Sequence, residues 1–371
     1  MKNYHLFPVF LTLLASYIGL HLYSASWFAR SFAVSAANAR SLRILFLLLA
    51  LFSPLTMFMR HRYTNPALDW FYTAGYAWMG IIFLAGSGFI FADLIRLGLR
   101  FFLNPAWLQY YRYCVLAALG LTFACAFRGG SKVPEIKELN IAVPGLSPAL
   151  EGLRIAQISD THIDSERKLR RFSDTVDIVN RAKPDLVLFT GDLVDPGLTD
   201  SGRLGELVRK LKPRLGIYGV LGNHEYYYGY ERSVTCYREF GINLLRNEAA
   251  DVAGIHLIGL SDILTEKMTK KDIRDILKKH HRPGISILMT HQPVMYPLIA
   301  ESGDFVGFSG HTHGGQIFPF HIFTRMFYKY FYGFYRFKNS IFYVTSGTGT
   351  WGPPMRWLAP SEIPIITLTG R

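Results

Sequence analysis

Five short segments of the chain carry side chains that bind divalent metals, and each segment follows an apolar run. In order they are Asp160-Thr161-His162, Gly191-Asp192-Leu193-Val194-Asp195, Gly222-Asn223-His224-Glu225, Thr290-His291 and Gly310-His311-Thr312-His313. Alone, each segment is typical of a surface loop or of a histidine packed in a core. All five in this order predict a site at which seven donors converge: Asp160, His162, Asp192, Asn223, His291, His311 and His313.

Seven such donors are enough for two metal ions, since hard and borderline cations accept carboxylate, amide and imidazole groups in mixed sets. The two oxygens of Asp192 can bridge two cations, and Asn223 supplies a neutral carbonyl oxygen. Two cations about 3.5–4 Å apart acidify a bridging water and neutralise phosphate oxygens during in-line attack. We therefore predict a dinuclear hydrolase in which metal-bound hydroxide attacks phosphorus directly. Oxygen and imidazole ligands do not select among Mn²⁺, Fe²⁺ and Zn²⁺.

Short apolar runs alternating with amphipathic stretches must position these segments. Buried strands are predicted at 153–159, 185–190, 215–221, 255–260, 285–290 and 305–309. Helices are predicted at 166–182, 204–211, 231–240 and 271–280, and closing strands at 341–345 and 363–369. This alternation predicts an α/β layered domain with its catalytic loops at the carboxyl ends of strands.

The five motifs, D-x-H, G-D-x-x-D, G-N-H-E, H and G-H-x-H, resemble those of the calcineurin-like metallophosphoesterase superfamily, over roughly residues 150–371. Gly314-Gly315-Gln316 and the tail Gly349-Thr350-Trp351-Gly352-Pro353-Pro354-Met355-Arg356 are similar to a bacterial, often membrane-linked branch. That branch includes phosphodiesterases and enzymes that cleave UDP-2,3-diacylglucosamine. The resemblance implies a β-sandwich flanked by helices.

The resemblance also implies roles for individual residues. One metal would bind Asp160, His162, Asp192 and His313, and the other Asp192, Asn223, His291 and His311. His224 resembles the histidine that contacts phosphate and protonates the leaving oxygen, and Asp195 the carboxylate that orients it. The alternative for Asp195 is that it only caps its loop. Pro196 stands where many phosphatases of the superfamily have an arginine that holds phosphate, which argues against monoester phosphatase activity of that kind.

One further motif is discounted. Residues 347–352 formally fit G-x-G-x-x-G, but Pro353 and Pro354 follow where a helix would have to begin. No cofactor site other than the metal site is predicted, and a tight loop beside that site is the better interpretation.

The first third of the chain has the composition of a membrane domain. Residues 1–128 contain ten basic and two acidic residues, a net charge of +8, and the remaining residues have a net charge of +5. Residues 6–28 and 70–92 carry no formal charge, and each run suffices for the ~20 residues of a membrane-spanning helix. Residues 44–59, with Pro54, and 107–127, with Arg112, are the other two predicted spans. We predict a transmembrane helical domain at 1–128, a linker and lead-in at 129–150, and the metallophosphoesterase domain at 151–371.

The side of the membrane is decided by a narrow charge difference. With four spans, six basic residues lie on the side of the catalytic half (Lys2, Arg60, Arg62, Arg128, Lys132, Lys137) and five on the other (Arg30, Arg40, Arg43, Arg96, Arg100). The positive-inside rule then favours a cytoplasmic catalytic domain on a bacterial inner membrane. A cleavable signal peptide beginning at Lys2 is the alternative for the first span. Cys114, Cys125 and Cys236 form no disulfide framework.

An aromatic segment with interleaved basic residues follows the last motif. It contains Phe318, Phe320, Phe323, Phe327, Tyr328, Tyr330, Phe331, Tyr332, Phe334, Tyr335 and Phe337, with Arg325, Lys329, Arg336 and Lys338. One hypothesis is a lip that dips into the bilayer and admits an acylated substrate. The other is an aromatic mini-core packed on the sheet. Single-stranded nucleic acid would need an open groove, so no nucleic-acid partner is expected.

Three functions follow from these observations. The leading prediction is a membrane-anchored phosphoesterase that hydrolyses a phosphodiester or pyrophosphate bond in a lipid-linked substrate such as UDP-2,3-diacylglucosamine, with a role in lipid metabolism. A phosphodiesterase for a soluble nucleotide is the second. A non-catalytic metal-binding membrane scaffold is the third, although such a scaffold has no need of His224 as a spare general acid.

Overall fold

The computed structural model describes residues 6–370 except 64, 103, 105–106, 108–109, 144 and 148–149. Lys2, used above for the charge count and for the signal-peptide alternative, lies outside the described residues. The chain divides into two compact units. The first comprises Met1–Tyr63, Ala67–Arg128 and Gly352–Met355, and the second Thr64–Pro66, Gly129–Trp351 and Arg356–Arg371. The domain limits predicted from the sequence, 1–128, 129–150 and 151–371, stay a prediction.

Among the described residues, the first unit contains the helices α1 Leu6–Ser31, α2 Ala36–Ala50, α3 Phe52–Arg62, α4 Asp69–Leu99 and α5 Tyr111–Ser131. Within the described residues, three segments are long and apolar enough to cross a membrane, namely Ala36–Arg60, Asp69–Leu99 and Tyr111–Ser131. They coincide with three of the four predicted spans. The remaining one, 6–28, is helical within α1, and its crossing stays a prediction. Pro54 lies in the first turn of α3, where a missing N–H costs no helical hydrogen bond.

Aromatic and polar contacts hold these helices together. Trp27 of α1 stacks on Phe89 of α4, with ring centroids 4.1 Å apart and an interplanar angle of 11°. His21 is fully buried, its Nδ1 lies 2.9 Å from the carbonyl oxygen of Tyr17, and its Nε2 lies 3.1 Å from Nε1 of Trp78. Both ring nitrogens are therefore satisfied inside the bundle, as buried polar groups must be.

The second unit contains two six-stranded sheets. The first has the order β1 Glu135–Val143, β12 Glu362–Gly370, β2 Arg154–Ile158, β3 Leu186–Thr190, β4 Ile217–Val220 and β5 Asn243–Leu244. The second has the order β10 Gly333–Phe337, β11 Ser340–Val344, β9 Phe305–Ser309, β8 Ser286–Met289, β7 Ile255–Gly259 and β6 Glu248–Val252. Strands β2 to β5 are parallel, and so are β7, β8, β9 and β11.

The two sheets pack face to face, and helices cover their outer faces. Ile155 and Leu188 from the first sheet share one buried cluster with Leu257 and Val306 from the second. The remaining helices are α6 Glu166–Ala182, α7 Ser201–Arg209, α8 Asn223–Tyr228, α9 Tyr230–Phe240, α10 Lys270–Lys279, α11 Tyr296–Ala300 and α12 Phe320–Phe327. Residues of α6, α7 and α9 pack on the first sheet, and residues of α10 and α11 on the second. The predicted layered sandwich flanked by helices is confirmed.

The parallel strands determine where the motifs meet. Three of the five motifs follow β2, β3 and β4 of the first sheet, and the other two follow β8 and β9 of the second. Because parallel strands end at the same edge of a sheet, their following loops gather there. The strands β1, β5, β6 and β10 were not predicted, and β1 falls within the predicted lead-in at 129–150.

Candidate metal centre

Six of the seven predicted metal-ligating residues lie in clusters of potential donor atoms. The clusters are Asp160, His162 and His313; His162, Asp192 and His224; and Asp192, His291 and His311. Within each cluster the donor atoms lie within 4.8 Å of one another. The clusters overlap at His162 and Asp192, so together they form one continuous site.

The first cluster is almost closed to solvent. Nε2 of His162 lies 2.9 Å from Nε2 of His313, which lies 3.5 Å from Oδ1 of Asp160. Asp160 and His162 are 0% and 1% exposed. Nδ1 of His162 donates to Oδ2 of Asp195 at 3.1 Å, so its Nε2 keeps the lone pair that faces the cluster.

In the third cluster, hydrogen bonding leaves the imidazole of His291 able to bind a metal. Nδ1 of His291 donates to the carbonyl oxygen of Thr190 at 2.8 Å. Its Nε2 faces Oδ2 of Asp192 at 3.1 Å and Nδ1 of His311 at 3.2 Å. Burial lowers the pKa of His291, but the charge of Asp192 and its hydrogen bond outweigh burial and raise that pKa well above its usual value. A cation among these atoms would replace the proton that they otherwise share.

A hydrogen-bond chain fixes the orientation of His311. The carboxylate of Asp262 accepts from Nε2 of Gln292 at 2.8 Å, so Oε1 of Gln292 accepts from the hydroxyl of Tyr328 at 3.1 Å. That hydroxyl lies 2.6 Å from Nε2 of His311 and accepts from it. Nδ1 of His311 therefore keeps its lone pair and points it at His291. Nothing in the sequence indicated this series of hydrogen bonds.

Replacing Tyr328 by phenylalanine is expected to weaken metal binding about 10- to 100-fold, the usual effect of removing a partner that orients a metal ligand. The measurement is the metal content of the purified full-length protein after dialysis against a series of chelator concentrations. Tyr226→Phe is the matched control, because its hydroxyl donates to Glu266 at 2.6 Å, apart from these clusters. Equal metal retention in the two variants would contradict the proposed role of the chain.

Asn223 completes the predicted donor set. It is 7% exposed and begins α8, beside His224. Its amide oxygen is buried and has no hydrogen-bond partner among the described residues. Because a buried carbonyl oxygen without a partner costs free energy, a cation at this place would satisfy it. The donor chemistry of the site thus fits divalent metal.

Backbone conformations at the site are also unusual. Five of the predicted ligands have a positive φ: Asp160, His162, Asp192, His311 and His313, with values from 49° to 71°. Such left-handed conformations cost on the order of 1 kcal/mol each for residues other than glycine and collect at functional sites. The turns after β2, β3 and β9 therefore orient their ligands through strained backbone conformations.

One buried carboxylate ties two of the motif loops together. Glu225 is 0% exposed and accepts the backbone N–H groups of Asp192, Leu193, Val194 and Gly222 at 2.7–3.1 Å. The first three belong to the loop after β3, and Gly222 belongs to the loop after β4. The sequence contained Glu225 within the motif, but nothing in it indicated these partners.

His224, in the second cluster, is more accessible to solvent than the two histidines of the first cluster. Its side chain is 13% exposed, and its Nδ1 is hydrogen-bonded to Oδ1 of Asp195. Burial lowers the pKa of His224, but the charges of Asp195 and Asp192 outweigh burial and raise that pKa to about 9. The carboxylate of Asp195 contacts both His162 and His224, which is more than a loop cap requires.

The aromatic segment divides into two parts. Tyr330 and Phe331 are 7% and 8% exposed, and Tyr330 stacks on Tyr296 of α11 with ring centroids 4.6 Å apart. In contrast, α12 leaves its apolar side chains exposed: Phe320 (41%), Ile322 (54%), Phe323 (48%), Met326 (75%) and Phe327 (74%). The mini-core hypothesis thus describes Tyr330 and Phe331, whereas α12 offers a run of exposed apolar side chains.

A layered α/β sandwich with buried Asp and His clusters at its strand ends suits a metal-dependent hydrolase. The family described as calcineurin-like phosphoesterase matches residues 153–315. An uncharacterized metallophosphoesterase of Helicobacter pylori is 36% identical over 258 residues, covering 68% of each chain. One from Campylobacter jejuni is 33% identical over 245 residues, covering 65% of this chain and 64% of the relative. A transmembrane protein with metallophosphoesterase domain from Danio rerio is 32% identical over 269 residues. The match covers 68% of this chain and 60% of the relative.

The chain belongs to the calcineurin-like phosphoesterase family, whose members are hydrolases that use divalent metals.

Proposed function

We propose that this protein is a membrane-anchored phosphoesterase with two divalent ions that hydrolyses a phosphodiester or pyrophosphate bond in a lipid-linked substrate. The observation that carries the proposal is the convergence of donors from five separate loops into clusters that overlap at His162 and Asp192. Two overlapping donor sets joined by one carboxylate suit a pair of ions better than a single ion.

The donor sets assign each residue to an ion. Asp160, His162, Asp192 and His313 would hold one ion, and Asp192, Asn223, His291 and His311 the other. Bound divalent ions supply Lewis acidity toward the phosphate oxygens and the attacking water. Mn²⁺, Fe²⁺ and Zn²⁺ all suit these ligands, and Mn²⁺ is the first choice for a reconstitution experiment.

His224 and Asp195 act on the proton of the leaving group. His224 is bound to Asp195 through Nδ1, so its Nε2 is left to face the substrate. We assign to His224 the protonation of the leaving oxygen, and to Asp195 the orientation of the imidazole. Pro196 supplies no cation to hold a terminal phosphate, which favours a diester or pyrophosphate over a monoester.

Two observations support a lipid-linked substrate, with UDP-2,3-diacylglucosamine as the example that the family resemblance offers. Helix α12 begins seven residues after His313 and exposes five apolar side chains beside the basic residues Arg325 and Lys329. Apolar and basic side chains together suit a lipid headgroup interface. The same chain has three segments fit to cross a membrane. We place the protein in a bacterial inner membrane with the catalytic unit on the cytoplasmic side.

The test is to assay the full-length protein in detergent, with Mn²⁺ added after chelation, on lipid-linked, sugar-nucleotide and simple diester phosphates. The double variant Phe323→Ser and Phe327→Ser is expected to lower kcat/KM on the lipid-linked substrate about tenfold or more, because each buried apolar side chain contributes about 1.5–3 kcal/mol. Hydrolysis of bis(p-nitrophenyl) phosphate is expected to stay the same.

Phe334→Ser is the matched control, since Phe334 is 44% exposed but lies on β10 outside α12. Phe331 is unsuitable for this test because it is buried. Equal losses on lipid-linked and soluble substrates would contradict the lipid assignment and favour the soluble nucleotide phosphodiesterase. Absence of hydrolysis on every substrate, with metal bound, would favour the scaffold.

A further inference from the structure

Two exposed aromatic side chains lie beside His224. The ring centroid of Tyr227 is 5.1 Å from that of His224, with an interplanar angle of 67°. The ring of Trp351 is 6.3 Å from His224, at 80°. Tyr227 and Trp351 are 58% and 44% exposed, although large aromatic rings gain free energy from burial. Both rings thus lie on the solvent-accessible side of the site, and much of the surface of each is exposed.

The backbone of Trp351 is fixed although its ring is exposed. The side chain of Gln316 donates from Nε2 to the carbonyl oxygen of Trp351 at 2.8 Å and accepts from its N–H at 2.8 Å. Gln316 is itself 7% exposed and lies three residues after His313. One buried amide therefore pairs with both polar groups of the Trp351 main chain, and it ties this residue to the loop that carries two predicted ligands.

The position of Tyr227 is fixed through α8. Tyr227 is three residues after His224 in the same helix, so the two side chains lie on the same face. The first turn of α8 is held in turn by Glu225, which accepts the N–H of Gly222 at 2.7 Å. The backbone of both residues is thus held by hydrogen bonds, which lowers the entropy lost when a ligand is bound.

We propose that Tyr227 and Trp351 form a subsite for a planar ring attached to the reacting phosphoryl group, and that this ring is a nucleobase. The assignment rests on the proposed function, because His224 marks the reacting phosphoryl group only if it delivers the proton. Nucleobases stack on exposed aromatic rings with little regard to base identity. An acyl chain requires a continuous apolar surface such as the one that α12 offers, whereas these two rings both contact a single imidazole, that of His224.

The experiment compares two ligands that differ only in the base. Full-length protein loaded with Mn²⁺ is titrated in detergent with uridine 5′-monophosphate and with ribose 5-phosphate, and both Kd values are measured by calorimetry. Stacking on one aromatic ring is expected to make the nucleotide bind about tenfold more tightly or better. Trp351→Leu and Tyr227→Leu are each expected to bring the ratio of the two Kd values toward one, while Trp351→Phe keeps most of the preference.

Phe334→Leu is the control, since it removes an equally exposed aromatic ring elsewhere in the unit and is expected to leave the ratio unchanged. Equal affinity of the wild-type protein for both ligands, binding of neither, or a ratio that the Trp351 and Tyr227 variants do not move would overturn the subsite. Hydrolysis of bis(p-nitrophenyl) phosphate is measured in parallel on the wild-type protein. If hydrolysis persists without a base preference, only the subsite fails; if hydrolysis is absent, the proposed function fails.

Discussion

Replacing Asp192 by alanine is expected to reduce kcat/KM on the order of 10³-fold or more, since bound metal contributes several kcal/mol and each 1.36 kcal/mol is tenfold in rate. Oδ2 of Asp192 lies 3.7 Å from Nε2 of His162 and 3.1 Å from Nε2 of His291, so its loss affects both donor sets. Metal content is measured by elemental analysis beside the kinetics, and both ions are expected to be lost or depleted.

Two comparisons separate this effect from misfolding. Asp192→Asn keeps the shape of the side chain, and thermal unfolding reports whether the sandwich is intact. Asp275→Ala removes a carboxylate that is 60% exposed on α10 and is expected to change neither metal content nor rate. A fully metallated and active Asp192→Ala protein would rule out the shared carboxylate, and with it the dinuclear assignment.

Replacing His224 by glutamine is expected to lower kcat about 10²- to 10⁴-fold on a substrate with an alkoxide leaving group, the usual contribution of a positioned general acid. Metal content is expected to be unchanged, because His224 belongs to neither donor set proposed above. The measurement compares a methyl with a p-nitrophenyl ester of the same phosphate. The loss of kcat on the p-nitrophenyl ester is expected to be much smaller, since p-nitrophenolate departs without a proton.

Asp195→Asn gives the companion result. Its carboxylate contacts His224 through Oδ1 and His162 through Oδ2, so the variant is expected to lose rate and some metal affinity together. In a double-mutant cycle with His224→Gln, the two effects on kcat are expected to be less than additive, because the residues act as a unit. Additive effects would contradict the action of Asp195 through His224, and equal losses of rate on both esters would exclude His224 as the proton donor.

The strands and helices that carry the motifs were predictable because their signals are local. The run at 185–190 is continuously apolar and forms β3, and the amphipathic pattern at 166–182 forms α6. In contrast, β1 alternates charged and apolar residues and pairs with β12, more than two hundred residues further along the chain. Nothing near β1 in sequence identifies that partner, so a lead-in was predicted there.

In the candidate site, too, the residues with a local sequence signal were predictable and those that depend on long-range contacts were not. The motif residues were found because each follows an apolar run, whereas Tyr328, Gln292 and Asp262 come from three separate segments. Their hydrogen bonds exist only because β7, β8 and the turn after α12 meet in space. Exposure in the aromatic segment was equally hidden, because Tyr296 of α11 covers Tyr330 and leaves Phe327 bare. A sequence shows that aromatic residues are dense, but not which of them another element covers.

The hydrogen bonds of the Glu225 carboxylate bear on how metal ions enter and leave the candidate metal centre. Because it binds four N–H groups drawn from two loops, the ends of β3 and β4 are cross-linked by the polypeptide itself rather than by ions. The relative positions of these two loops are thus fixed by hydrogen bonds in addition to any bound metal. We expect the part of the pocket that they form to survive chelation, so that one metal can be exchanged for another without refolding of these loops.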